Sequence, residues 1–185
     1  MLELFDKTEV THLFISIVTI SLAFSLPFFL SFPIVLITVG LGFVLHEIAH
    51  KITAIKYGCT AYYRAWMHGL VLAIFLAIMT AGSLVFAAPG AVHIYKSNLT
   101  RRENGIISLA GPMTNVLLAG VFYYLALNGI FTDIARIGIT VNLFLGFFNL
   151  IPLFILDGKK VYDWSPTVWA IVFLPLFFLN FFVRF

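Results

Sequence analysis

The apolar run "VLHEIAHKI", residues 44 to 52, contains three titratable side chains: His46, Glu47 and His50. On a helix, residues four apart lie on one face a turn apart. His46 and His50 can therefore grip one metal ion together, and Glu47 stands where a carboxylate can address a water on that ion. This H-E-x-x-H spacing is the arrangement of zinc hydrolases. The bland alternative is that the histidines are polar glue between helices, which leaves Glu47 without a task.

Catalytic zinc takes three protein ligands and keeps a fourth position open, so a third ligand is needed. Most of the remaining acids (Glu3, Asp6, Glu9, Glu103, Asp133 and Asp163) fall in polar connections. Asp157 differs, because it ends the apolar run "NLIPLFIL" and is followed by Gly158, which lets the chain turn. Pro152 breaks a helix there and extends the backbone toward the aspartate. An Asp-Gly pair after a helix is by itself an ordinary turn; two histidines in want of a ligand make Asp157 the candidate. Asn149 reads equally as helix–helix hydrogen bonding or as a group near a substrate carbonyl. Asn115 and Asn142 read as interhelical glue, and His12, His68 and His93, without partners at ligand spacing, as interfacial residues.

Composition decides what surrounds these groups. Of 185 residues 62% are hydrophobic and 10% charged, against about 45–50% and about 25% in soluble domains. Such a chain cannot cover itself with a water-facing surface, so the bilayer is its solvent. Its length allows about five or six spans of ~20 residues. The net charge of +3 carries no nucleic-acid signal, and the single Cys59 excludes an internal disulfide or a CxxC site. Residues 1–185 read as one membrane-embedded domain, with no linker or repeat. A cleaved leader is not expected, since Glu3, Asp6 and Glu9 outnumber Lys7 and the apolar run that follows is too long.

Apolar segments fall at 11–30, 34–57, 70–88, 105–127, 134–151 and 165–183. Residues 58–69, "GCTAYYRAWMHG", suit an interfacial strand or loop with aromatics at headgroup level. "PGAVHIYKS" reads as a short strand, β-branched and aromatic after a turn. His46 and His50 lie late in their span and Asp157 ends its own, so the two spans must run in the same direction to meet. That requires an odd number of crossings between them, and 70–88, interrupted by Gly82, Ser83, Pro89 and Gly90, is the segment expected to dip in and return. With the N-terminus inside, only Arg136 and Arg184 of the 11 basic residues then lie outside, as the positive-inside tendency favours. The expected fold is an all-α polytopic membrane protein of about five transmembrane helices, with a re-entrant segment and short membrane-associated β-strands.

"HEIAH", "AGPMTN" and "NLIPLFILDG" together resemble, in order, the motifs of the site-2 protease family of intramembrane zinc metalloproteases. Its H-E-x-x-H matches His46, Glu47 and His50; its G-P-x-x-N matches Gly111, Pro112 and Asn115; its N-x-x-P-x-x-x-x-D-G matches Asn149, Pro152, Asp157 and Gly158. The likeness covers residues 34 to 160. It implies one Zn²⁺ per chain held by His46, His50 and Asp157, and cleavage of membrane-spanning protein substrates toward the cytoplasmic side of the cell membrane. Two departures stand out: the family's PDZ-like or CBS-like regulatory domain has no room here, and the apolar run between "YGC" and "PGAV" is longer than a short membrane-associated hairpin. On this reading Glu47 is the general base, Asn149 steadies the substrate backbone or the developing oxyanion, and Ala91, Val92, His93 and Ile94 offer a strand edge to an extended substrate. An inactive scaffold of the same fold, or a metal transporter, is the alternative; a transporter needs repeated segments, and none is visible.

Overall fold

The computed structural model describes residues 5–85, 88–153 and 155–183; Glu3 and Arg184, used in the charge balance above, lie outside them. Helix α1 (Lys7–Ser25) opens at a capping box, in which Asp6 accepts from the Glu9 amide at 2.6 Å and Glu9 from the Asp6 amide at 2.8 Å. It ends before Pro27, where the sequence "SLPFFLSFP" suits a tight turn, and the apolar Phe28 and Leu30 at the end of the segment 11–30 sit exposed there. In α2 (Phe32–Lys56) Pro33 occupies the first turn, where a missing N–H goes unnoticed. After β1 (Thr60–Ala65), α3 (Met67–Met79) and β2 (Gly90–Tyr95) comes α4 (Arg101–Leu127), opened by a second capping box of Thr100 and Glu103. The last elements are α5 (Thr132–Asn149), α6 (Asp157–Trp164) and α7 (Pro166–Phe182). The short polar helix α6 is missing from the sequence expectation, where Asp157–Gly158 reads as a turn.

Side-chain contacts fix the helix directions. Glu9 meets Lys51, and Ile17 lies against Gly40, so α1 and α2 are antiparallel. His50 reaches Ile107 while Asn115 reaches Gly42, so α4 opposes α2. Gly138 packs on Phe122 and Gly146 on Pro112, so α5 opposes α4. Trp169 bonds the Leu150 carbonyl and Asn180 the Leu143 carbonyl, so α7 opposes α5. Consequently α2 and α5 run the same way: Gly42 faces Asn142 and Leu145, and His46 shares a cavity wall with Asn149 further on.

Among the described residues three helices, α1, α2 and α4, are long and apolar enough to cross a bilayer. Large apolar side chains such as Phe14, Ile37, Val71, Leu117, Ile171 and Phe178 are exposed, as lipid-facing residues are. Helix α3 has 13 residues, about 20 Å at 1.5 Å per residue, short of the ~30 Å hydrocarbon core. The chain leaves and returns at one place: Ala65 pairs with Gly90 in the antiparallel ribbon, and the Trp66 amide bonds the Pro89 carbonyl at 2.8 Å. Residues 66–89 thus form an excursion closed at its base.

Candidate metal centre

The late turns of α2 carry His46, Glu47 and His50, all at most 6% exposed. Asp157 arrives as the first residue of α6, after α5 stops at Asn149 and the chain runs unwound through Pro152. Two glycines allow the approach. A Cβ at Gly111 of α4 would collide with the Nε2 atoms of both histidines, and one at Gly158 would collide with the Leu150 carbonyl. Gly158 therefore serves close packing of α6 on the end of α5 and not the turn expected of it; its φ is not positive.

His50 Nε2 lies 2.9 Å from His46 Nε2 and 3.0 Å from Asp157 Oδ2, and His46 Nε2 lies 3.3 Å from the same oxygen. The protonation of this cluster can be worked out from its surroundings. Asn142 donates its Nδ2 to the Gly138 carbonyl, so its Oδ1 is free to accept from Asn115 Nδ2 at 3.0 Å. Asn115 Nδ2 also donates to the Gly42 carbonyl at 3.1 Å, which turns its Oδ1 toward His46 Nδ1 at 2.6 Å. An amide oxygen only accepts, so His46 carries its proton on Nδ1. His50 Nδ1 faces the Ile107 carbonyl at 2.7 Å and must donate too. With Nδ1 so engaged, each imidazole turns its Nε2 toward the other and toward the Asp157 carboxylate. Two imidazole nitrogens and a carboxylate oxygen converging on one point are a donor set for a metal ion.

A divalent metal fits that set. Ligand atoms around tetrahedral zinc at about 2.0–2.1 Å stand roughly 3.3 Å apart, and the observed 2.9–3.3 Å is only slightly tighter. Among the described residues this is the group whose ligand atoms converge in this way. Glu47 is not one of the three. Its Oε2 is buried and lacks a hydrogen-bond partner, and its side chain lines a cavity of about 440 Å³ beside the cluster. Asp157 Oδ1, the oxygen turned away from the histidines, lies 3.7 Å from Lys160 Nζ.

Every candidate from the sequence borders this cavity. Asn149 lines it, with its Nδ2 engaged to the Leu145 carbonyl of its own helix at 2.9 Å, and Ala91, Val92, His93 and Ile94 of β2 form another wall. Behind Glu47, the buried Tyr63 hydroxyl shares a 2.7 Å hydrogen bond with Ser16. Burial first, and then the nearby Glu47 charge, push the Tyr63 phenol up, so it stays protonated.

Two readings of the sequence, those of Glu9 and Glu103, need correction, and two others gain a second role. Asn115 is glue between α2, α4 and α5, but it also fixes the tautomer of His46. Glu9 is not in a polar connection: it is 1% exposed, and its Oε1 takes Lys51 Nζ at 2.5 Å and the Tyr63 amide at 2.8 Å. Glu103 likewise sits inside α4 and pairs with Lys96 at 2.7 Å. His12 is not merely interfacial, since its Nδ1 accepts from the Ala65 amide at 3.2 Å. The signal for Glu9 was available: it shares a helical face with Leu13, Ser16 and Ile20, all buried. Nothing in the sequence announces its pairing with Lys51.

Fold and site together define a mostly helical membrane protein with a buried two-histidine, one-aspartate cluster able to hold a metal ion. A protein of Methanocaldococcus jannaschii named "Putative zinc metalloprotease" is 47% identical over 178 residues, 93% of this chain and 92% of its own length. A Bacillus subtilis protein with the same description is 28% identical over 155 residues, 71% of this chain and 68% of its own. No family model and no solved structure matches the chain. By the first of these likenesses, the chain belongs to that zinc metalloprotease family.

Proposed function

We propose that this chain is an intramembrane zinc metalloendopeptidase of the site-2 protease type, hydrolysing peptide bonds in the transmembrane segments of protein substrates. One zinc per chain is held by His46 Nε2, His50 Nε2 and Asp157 Oδ2. The observation that carries the reading is the convergence of three ligand-type atoms beside the partnerless Glu47 Oε2, in the interior of a helical membrane protein. Bound zinc supplies Lewis acidity to the scissile carbonyl and makes water nucleophilic near neutral pH.

The chain's own groups do the rest. Glu47 Oε2 takes the proton of the attacking water and delivers it to the amide nitrogen as the C–N bond breaks, general acid–base work contributing typically about 10²–10⁴-fold. Asn149, once its Nδ2 leaves the Leu145 carbonyl, offers a donor to the substrate carbonyl. The ribbon supplies the substrate's seat. The amides of Tyr63 and Ala65 point away from β2 to Glu9 and His12, so β1 has its outer edge closed. Those residues face Val92 and Gly90, which makes these the non-hydrogen-bonded pairs and turns the Val92 amide outward as well. An extended substrate would add along β2, at Ala91 to Ile94 on the cavity wall, taking over the Val92 amide that faces Glu47. A buried metal site inside lipid suits a peptide bond that lies there.

The five helices that alternate in direction (α1, α2, α4, α5 and α7) make five crossings, with the N-terminus and the cavity on the cytoplasmic side of the cell membrane and the C-terminus outside. The test is Glu47→Gln, purified and reconstituted with a model membrane-spanning substrate. Cleavage is abolished while zinc stays near one per chain; full activity in this variant refutes the mechanism.

A further inference from the structure

A second hollow, of about 340 Å³, opens between the first turn of α4 and α6, where Arg101, Asn104, Lys159, Lys160 and Asp163 line it. The two helices touch closely nearby, because a Cβ at Gly105 of α4 would collide with Trp164 of α6. Three of the lining residues, Arg101, Lys159 and Lys160, are cations, and Arg102 follows Arg101 in the chain. Lys159 is neutralised by Asp163 at 2.5 and 2.6 Å, and Lys160 leans on Asp157 at 3.7 Å. Arg101 and Arg102 make no ion pair among the described residues. Both stand in the first turn of α4, where the helix dipole disfavours positive charge. Such an arrangement is relieved by an anion.

Depth says which anion. α4 is one of the helices long and apolar enough to cross a bilayer, so its first turn lies where the hydrocarbon ends. Helix α6, one wall of the hollow, also carries Trp164 and the exposed Tyr162, which edges against Trp169 at 5.4 Å; Tyr and Trp concentrate at headgroup level. The anion abundant at that level is lipid phosphate, to which clustered Lys and Arg are drawn. The Arg101 guanidinium matches two phosphate oxygens with its planar fork.

We propose that the hollow between α4 and α6 binds the phosphate of an anionic phospholipid headgroup. This is independent of the proteolytic reading. The test is native mass spectrometry of the full chain, released from detergent containing equal amounts of phosphatidylglycerol and phosphatidylcholine. One phosphatidylglycerol is retained in preference, and the preference falls about tenfold in the Arg101→Gln/Lys159→Gln double variant. Arg136→Gln, at the far end of α5, leaves it unchanged. Unfolding temperature and zinc content in phosphatidylcholine alone verify that the double variant folds; if it does not, Arg101→Gln is read by itself. Equal retention of the two lipids, or a preference that survives loss of Arg101, overturns the proposal. So does inorganic phosphate that stabilises the native chain but not the variant, since the site would then belong to a free ion.

Discussion

Replacing Asn115 by Ala separates the metal cluster from the helices that orient it. The side chain makes three bonds: it accepts from His46 Nδ1 at 2.6 Å and donates to Asn142 Oδ1 at 3.0 Å and to the Gly42 carbonyl at 3.1 Å. The Gly42 carbonyl lies inside α2 and keeps its helical partner. The His46 Nδ1 proton and Asn142 Oδ1 do not, and both are buried; leaving each unsatisfied costs about 1–3 kcal/mol. Stability should therefore fall by roughly 2–6 kcal/mol. With its proton no longer tied to Nδ1, His46 can carry it on Nε2 and stop being a ligand, and loss of such outer partners weakens metal binding about 10–100-fold. Asn115→Asp separates the two effects, because it keeps an acceptor for His46 and loses the donor to Asn142. The assay is zinc competition against a chelator in detergent, with thermal unfolding in parallel. Ala should lose both affinity and stability, and Asp should recover affinity alone. Zinc affinity in Asn115→Ala within about twofold of native, or Asp as weak as Ala, would refute the tautomer argument.

Further outcomes follow from the same contacts. Asp157→Ala should strip zinc from the purified chain while Asp133→Ala and Asp163→Ala keep it, as metal analysis would read; loss through Asp133 alone would mean that the end of α5 is paired wrongly with α2. Glu9→Gln leaves the buried Lys51 ammonium without its counter-charge and should destabilise by about 3–5 kcal/mol, with Glu9→Gln/Lys51→Met recovering much of it; a single-variant loss under about 1 kcal/mol in thermal unfolding would count against a desolvated pair. Cysteines at Arg64 and Ser97 in a Cys59→Ser background should react with an impermeant reagent from the same, cytoplasmic face. Labelling from opposite faces would require residues 66–89 to cross.

What the sequence made legible is what obeys a local period. Four-residue spacing put His46 and His50 on one face, and β-branched and aromatic residues after Pro89-Gly90 marked the strand that forms as Gly90–Tyr95. The parity of apolar segments implied that α2 and α5 run parallel, as the opposed packing of each on α4 requires. Helix ends were less accurate, because apolar composition does not distinguish a lipid-facing helix from an apolar turn. Phe28 and Leu30 are as greasy as their neighbours, yet Pro27 takes them out of α1.

Contacts that join distant segments left almost no local trace. Asn115 looks the same in sequence whether it bonds another helix or a histidine of the candidate metal centre, and its partner His46 lies 69 positions earlier in the chain. The glycines are the partial exception. Gly111 and Gly158 each stand where a single added carbon would strike the site or the backbone behind it, so each small residue records a close approach without naming its partner. Glu9 is the harder case. A lone carboxylate in an apolar helix implies a buried cation somewhere, and the chain offers Lys51 and Lys56 within one helix turn and a half of each other. Only packing decides between them: Lys51 follows His50 toward α1 and is 4% exposed, while Lys56 sits in the last turn of α2 and faces outward. The ion pair that braces the ribbon against the metal helix therefore rests on a choice that helical phase permits and that three-dimensional packing makes.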